Sequence, residues 1–215
     1  MSEKKVKING EFCGTIHELV DSGKVLECFA SRNSVGDVIA GHRGAARTCE
    51  GNATAEDYSA ARTFSGDATV GHDSAARTFK GDVIAGDRGA ACTCKGDATA
   101  VNYSAACTRD GDATVGLDSS ARTCVGDATA EDYSATCTFK GNATAGHGSA
   151  ARTSDGNATV GKRGVALGST VKLGNNSIGV IIDENGDIVK ICINSTNYEN
   201  MTIDFRTAGE NEEYK

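Results

Sequence analysis

The chain has 215 residues, a formal net charge of −7 and an apolar fraction of 39%, with 27 glycines, no proline, no tryptophan, six phenylalanines and five tyrosines. That inventory is too poor in large side chains for a conventional interdigitated globular core. The acidic balance excludes a nucleic-acid groove, which needs clustered Lys and Arg to displace counterions from phosphates.

Residues 1–35 form a first segment. KVKING reads as a strand and a turn, and the charged start is succeeded by no apolar run of signal-peptide length. Thr15 and Glu18 have capping-box spacing and Gly23 supplies a stop, which predicts a short helix covering the first unit of the central repeat. Nor does any later stretch offer the roughly 20 apolar residues that span a bilayer. No membrane and no nucleic acid is therefore expected as a partner, and the expected location is cytoplasmic or virion-associated. Nine cysteines is an odd number, and in a chain without an export signal they are expected as thiols rather than a disulfide framework.

From residue 36 to 170 the chain repeats. Glycine recurs at Gly36, Gly51, Gly66, Gly81, Gly96, Gly111, Gly126, Gly141 and Gly156, a fifteen-residue period that marks a solenoid. Counted from its glycine, a unit such as GDATVGHDSAARTFK (residues 66–80) holds two short alternating segments separated by turn residues. Helical repeats need over about 30 residues per unit. The fold expected is therefore all-β: a parallel β-solenoid, or β-roll, of nine coils, each contributing two short strands and one rung of about 4.8 Å.

The inward face is decided by what a thin interior tolerates. If the tenth, twelfth and fourteenth positions pointed in, Arg47, Arg62, Arg77, Arg122 and Arg152 would be buried without carboxylate partners, at a prohibitive desolvation cost. The opposite phase buries Ala68, Val70, Ala76 and Thr78 and leaves Thr78 in need of a hydroxyl partner. Phe64, Phe79 and Phe139, with Cys49, Cys94 and Cys124, then line an outer face beside Arg62 and Arg77. This stripe is apolar enough to predict self-association.

Residues 171–215 break the repeat again. SIGVIIDENGDIVKICI reads as two β-rich runs around a turn, a hairpin signal, and TIDF predicts a last strand before an acidic tail. Because open solenoid ends expose unpaired strand edges, both terminal segments are expected to be caps.

Within residues 156–180, GVALG at 164–168 and NNSIG at 175–179 together resemble the SVAIG-type motif of trimeric autotransporter heads of the YadA class. The earlier units are similar to Ala-, Ser- and Thr-rich arrays of phage and gut-bacterial proteins. The resemblance implies a parallel β-roll, a homotrimer and a role in adhesins or fibres.

Chemical sites are sparse. Asp37, Asp67, Asp82, Asp97, Asp112 and Asp127 share the second position and suggest a calcium ladder, but bonding to turn backbone is the simpler reading. Thr54, Thr69, Thr99, Thr114, Thr129, Thr144 and Thr159 make an outward rank of the kind that binds ice, although threonine is also a good strand former. Cys92, Cys94 and Cys107 fall close together on adjacent coils without CxxC spacing and read better as small packing residues than as a metal site. His42, His72 and His147 sit on turns too far apart for one metal, and His17 lies outside the repeat. There is no nucleophile with a base, no phosphate loop and no cofactor motif. The expectation is a non-enzymatic structural or adhesive solenoid, homotrimeric through the Phe/Cys/Arg face. The alternatives are a monomeric surface-binding module using the Thr face and an enzyme site held in the caps.

Overall fold

The computed structural model describes residues 5–8, 11–15, 30–32, 35–183, 185, 187–194 and 201–204. The chain forms the expected all-β parallel solenoid with fifteen-residue coils. The first strand of each coil joins an eleven-stranded sheet and the second a twelve-stranded sheet. In the coil that starts at Gly66 these strands are Ala68–Val70 and Ala75–Arg77. They stack in register on the next coil, Ala68 opposite Val83 and Arg77 opposite Cys92. A third file of single bridges runs along the corner before each glycine, through Glu50, Ser65, Lys80 and Lys95.

The burial phase matches the charge argument. Ala68, Val70, Ala76 and Thr78 are buried, while Arg77 points outward with Ala75. Ser74, at the ninth position, is buried as well. Each buried methyl-sized group contributes only about 0.8 kcal/mol, so the polar residues of the interior must be well bonded, and its threonines and serines are. Thr78 Oγ1 donates to the Gly66 carbonyl at 2.9 Å, closing its own coil, and the same bond recurs at Thr63, Thr93, Thr108, Thr123, Thr138 and Thr153. Serine works between coils. Ser104 Oγ accepts the Gly89 N–H at 3.1 Å and donates to the Asn102 carbonyl at 2.8 Å, and the Ser104 N–H is in turn taken by Ser119 Oγ at 3.0 Å.

Glycine is strict at the first position because the corner is tight and left-handed. These residues have φ from +105° to +148°, and a Cβ added at Gly96 would overlap the Gly81 carbonyl on the preceding coil.

The repeat changes at the C-terminal end. Asn157 pairs with Thr170 and Val165 with Ile178, so the period contracts to thirteen residues and adds a tenth turn. Larger side chains, Val171, Leu173 and Ile181, fill this end of the core. The hairpin read from SIGVIIDENGDIVKICI forms, with Ser177–Ile182 antiparallel to Ile188–Asn194. Met201–Asp204 runs antiparallel to Thr170–Leu173. Each sheet thus ends in a reversed strand. At the other end, Ala30–Arg32 adds a parallel strand ahead of the first coil, and Lys5–Ile8 pairs with Glu11–Thr15. The helix expected after Thr15 lies outside the described residues.

Replacing Ser119 by Ala takes from the buried Ser104 N–H the hydroxyl acceptor it has at 3.0 Å, and is expected to cost about 1–3 kcal/mol. Gly96→Ala, which meets a backbone carbonyl and a positive φ, is expected to cost more. Melting curves followed by circular dichroism check the order; equal midpoints for Gly96→Ala and the parent would contradict the packing at the corner.

Candidate interaction faces

The outward positions form straight files because the strands stack without register shift from coil to coil. On the outer side of the second sheet, Arg47, Arg62 and Arg77 are succeeded in the same file by Cys92, Cys107 and Arg122. Two positions further on, the Phe64 and Phe79 rings stack with centroids 4.9 Å apart and planes 7° from parallel. Both remain open to solvent, 56% and 40% exposed. Cys94 comes next, half-buried, then Cys124, exposed, and Phe139, 58% exposed; Cys49 at the start is exposed. Arg109 occupies the position between Cys94 and Cys124. The stripe is therefore a stacked aromatic pair and a separate Phe139, divided by a charge, rather than one continuous apolar band.

A second apolar area goes beyond the sequence expectation. Val165, Ile178 and Ile193 lie side by side on the outer side of the second sheet at its C-terminal end, with exposures of 47%, 41% and 65%. Ile191 projects beside them opposite Val180. The signal is present in SIGV and ICI as alternating apolar residues, but either alternate set can count as core until the hairpin's inner side is known.

The first sheet presents the threonines. Thr99, Thr114, Thr129, Thr144 and Thr159 are in register over five consecutive coils, and Thr54 pairs with Thr69, with Ile39 and Ile84 separating and ending the runs. Beside them, the acidic rank has a clear task. Asp97 Oδ1 accepts the Asp112 N–H at 2.9 Å, and Asp82 Oδ1 accepts the Asp97 N–H at 2.9 Å. Asn52 does the same for Asp67. The partner is thus the backbone of the next coil rather than the residue's own turn. A parallel ladder runs at the seventh position, where Asp57, Asp87, Asn102 and Asp132 accept an N–H of the succeeding coil. Among the described residues no three or more His, Cys, Asp or Glu side chains converge as metal ligands.

The eighth position is the turn's left-handed residue, with φ of 50° to 57° at Tyr58, Asp73, Arg88, Tyr103, Asp118 and Tyr133. Tyr103 and Tyr133 line a shallow trough of about 700 Å³ together with Ala105, Ser120, Ala135 and Ala150. Histidines belong to the same turns: His42 packs edge-on against Tyr58 at 5.2 Å and His147 against Tyr133 at 5.6 Å. His72 Nε2 lies 3.6 Å from Asp87 Oδ2 on the next coil.

The cysteines of the repeat do not pack its interior. Cys92 is half-buried and Cys107 exposed, both on the outer side of the second sheet. Burial pushes the Cys92 thiol up, and so does Cys107 beside it, against the opposing pull of Arg77. Cys192, in the terminal hairpin, is buried, and burial raises its thiol too.

No family model matches the chain, and no curated protein or solved structure is significantly similar to it. The likeness to YadA-class heads and to phage arrays thus rests on the residues quoted above, and what is established is the solenoid.

If the acidic rank is a backbone ladder, Asp97→Asn keeps the acceptor and should leave stability within about 0.5 kcal/mol of the parent, whereas Asp97→Ala should lower it by about 1 kcal/mol. Calcium or a chelator should move neither. A melting midpoint that rises with calcium in the parent and not in Asp97→Asn would instead mark a metal ladder.

Proposed function

We propose that the chain is a non-enzymatic structural solenoid that associates with copies of itself through the outer side of its second sheet, as a homotrimeric shaft or head in a fibre-like or virion-associated assembly. The observation that carries this reading is the stacked and exposed pair Phe64 and Phe79, flanked by Arg62 and Arg77. Val165, Ile178 and Ile193 add an apolar area on the same side of the coil at the far end. Exposed aromatic pairs of this kind gain from being covered by another protein surface. The resemblance of GVALG and NNSIG to trimeric heads favours three copies. The non-enzymatic reading is supported by the repetition itself: the recurring polar residues at the second, ninth and thirteenth positions are committed to backbone hydrogen bonds, and a catalytic centre is needed once.

The rank Thr99 to Thr159 favours a second reading, a monomer whose first sheet binds an ordered surface such as ice. Light scattering of the reduced chain separates the two. Self-association predicts a discrete species of three times the 22.1 kDa chain mass, and Phe64→Ser with Phe79→Ser should return it to monomer with an unchanged circular dichroism spectrum. A monomer at all concentrations would reject this assembly, and thermal hysteresis in that monomer would favour the threonine face.

A further inference from the structure

The arginine file on the second sheet is interrupted at two consecutive coils, where Cys92 and Cys107 are direct partners in the parallel ladder. Neighbouring rungs are about 4.8 Å apart, inside the span of about 4.4–6.8 Å between Cα atoms that a disulfide requires. The two side chains project from the same face of the sheet, with the intervening Ala91 and Ala106 buried on the other. Arg77 adjoins Cys92 in the file on one side and Arg122 adjoins Cys107 on the other. Each thiol therefore has a cation on the adjacent rung.

The two sulfurs are not equivalent. Cys107 is exposed and has Arg122 on the adjacent rung; Cys92 is half-buried, and burial pushes its thiol up. That division suits an attacking thiolate and a resolving thiol. We propose that Cys92 and Cys107 form a dithiol site that reacts with low-molecular-weight disulfides to close a reversible covalent bridge between the coils starting at Gly81 and Gly96.

In the first step the Cys107 thiolate attacks one sulfur of the small disulfide. The S–S bond breaks, a mixed disulfide forms on Cys107, and one small thiol leaves as thiolate and takes up a proton. In the second, Cys92 gives up its proton to solvent and attacks Cys107 Sγ, expelling the second small thiol. The net change is oxidation of two protein thiols to one disulfide and reduction of the small disulfide to two thiols. Because the bridge joins adjacent rungs that are already in register, it closes without moving either coil by a residue. An excess of small thiol reverses it.

The site shares the outer side of the second sheet with the assembly proposed above, so the test is run on the Phe64→Ser, Phe79→Ser chain beside the parent, and a bridge formed in either supports the site. To test it, native reduced chain is incubated with excess oxidised glutathione, alkylated, and digested with trypsin without reduction. Trypsin releases Cys92 and Cys94 on residues 89–95 and Cys107 on residues 96–109. The expected product is these two peptides joined, about 2 Da lighter than the pair of thiol peptides, with the link retained in Cys94→Ser and lost in Cys92→Ser. In Cys92→Ser the glutathione should stay on Cys107. The proposal is overturned if wild-type chain keeps glutathione on Cys107 with Cys92 free, if the link requires Cys94 or joins two chains, or if both thiols stay unmodified in the folded parent and in the folded Phe64→Ser, Phe79→Ser chain while the denatured chains react. Both replacements are on the outer side, and unchanged circular dichroism spectra confirm that the variants compared are folded.

Discussion

Hydrogen bonding from one coil to the next is the constraint on which the rest of this structure depends. The interior is a file of alanines and valines, and methyl-sized groups alone stabilise a coil weakly. What they lack is supplied by polar atoms whose partners lie one rung away: serine hydroxyls at the ninth position, Asp and Asn side-chain oxygens at the second and seventh, and the backbone ladders themselves. Such bonds work only if the same kind of residue returns at the same place. A single inserted residue would take Ser104, Asp97 and Asn102 out of line together, which is a physical reason for the period to hold without insertion over nearly the whole repeat.

The same geometry makes the outside a set of straight ranks. Stacking like charges a rung apart is unfavourable, and the chain moderates it in two ways. In the acidic rank each carboxylate receives a backbone N–H, and the uncharged Asn52 and Asn142 perform the same acceptor task. In the basic rank, Cys137 stands between Arg122 and Arg152, and Cys92 and Cys107 stand on two consecutive rungs between Arg77 and Arg122. That interruption shortens the run of positive charge and puts two thiols on neighbouring rungs, so a structural substitution and a chemical site arise at one place.

Ends impose their own rule. A parallel ladder has no intrinsic stop, because the last coil presents the same open edge as every coil before it. Here the period contracts, large aliphatic residues replace alanine, and an antiparallel strand is laid on each sheet. Reversing direction alters the hydrogen-bond pattern at that edge, so a further fifteen-residue coil no longer matches it. The reversed hairpin also turns Ile191 and Ile193 outward, which is why the second apolar area sits at this end.

The periodic glycines, the alternation within DATV and SAART, and the cost of burying Arg77 are enough to determine the parallel solenoid, its phase and the buried set Ala68, Val70, Ala76 and Thr78. These are properties of a single unit and its charge. The bonding partners are not legible in the same way. Sequence reasoning assigns Asp97 to its own turn, whereas its oxygen serves the next coil; it has no task for Ser104; and it joins Phe139 to Phe79 across Arg109. Each of these depends on which atom of another coil lies within about 3 Å, the ordinary hydrogen-bond reach, and that distance is set by stacking register and not by the order of residues along one coil. Sequence determined the path of a turn, and the tertiary ladder decided what the polar and sulfur atoms on it meet.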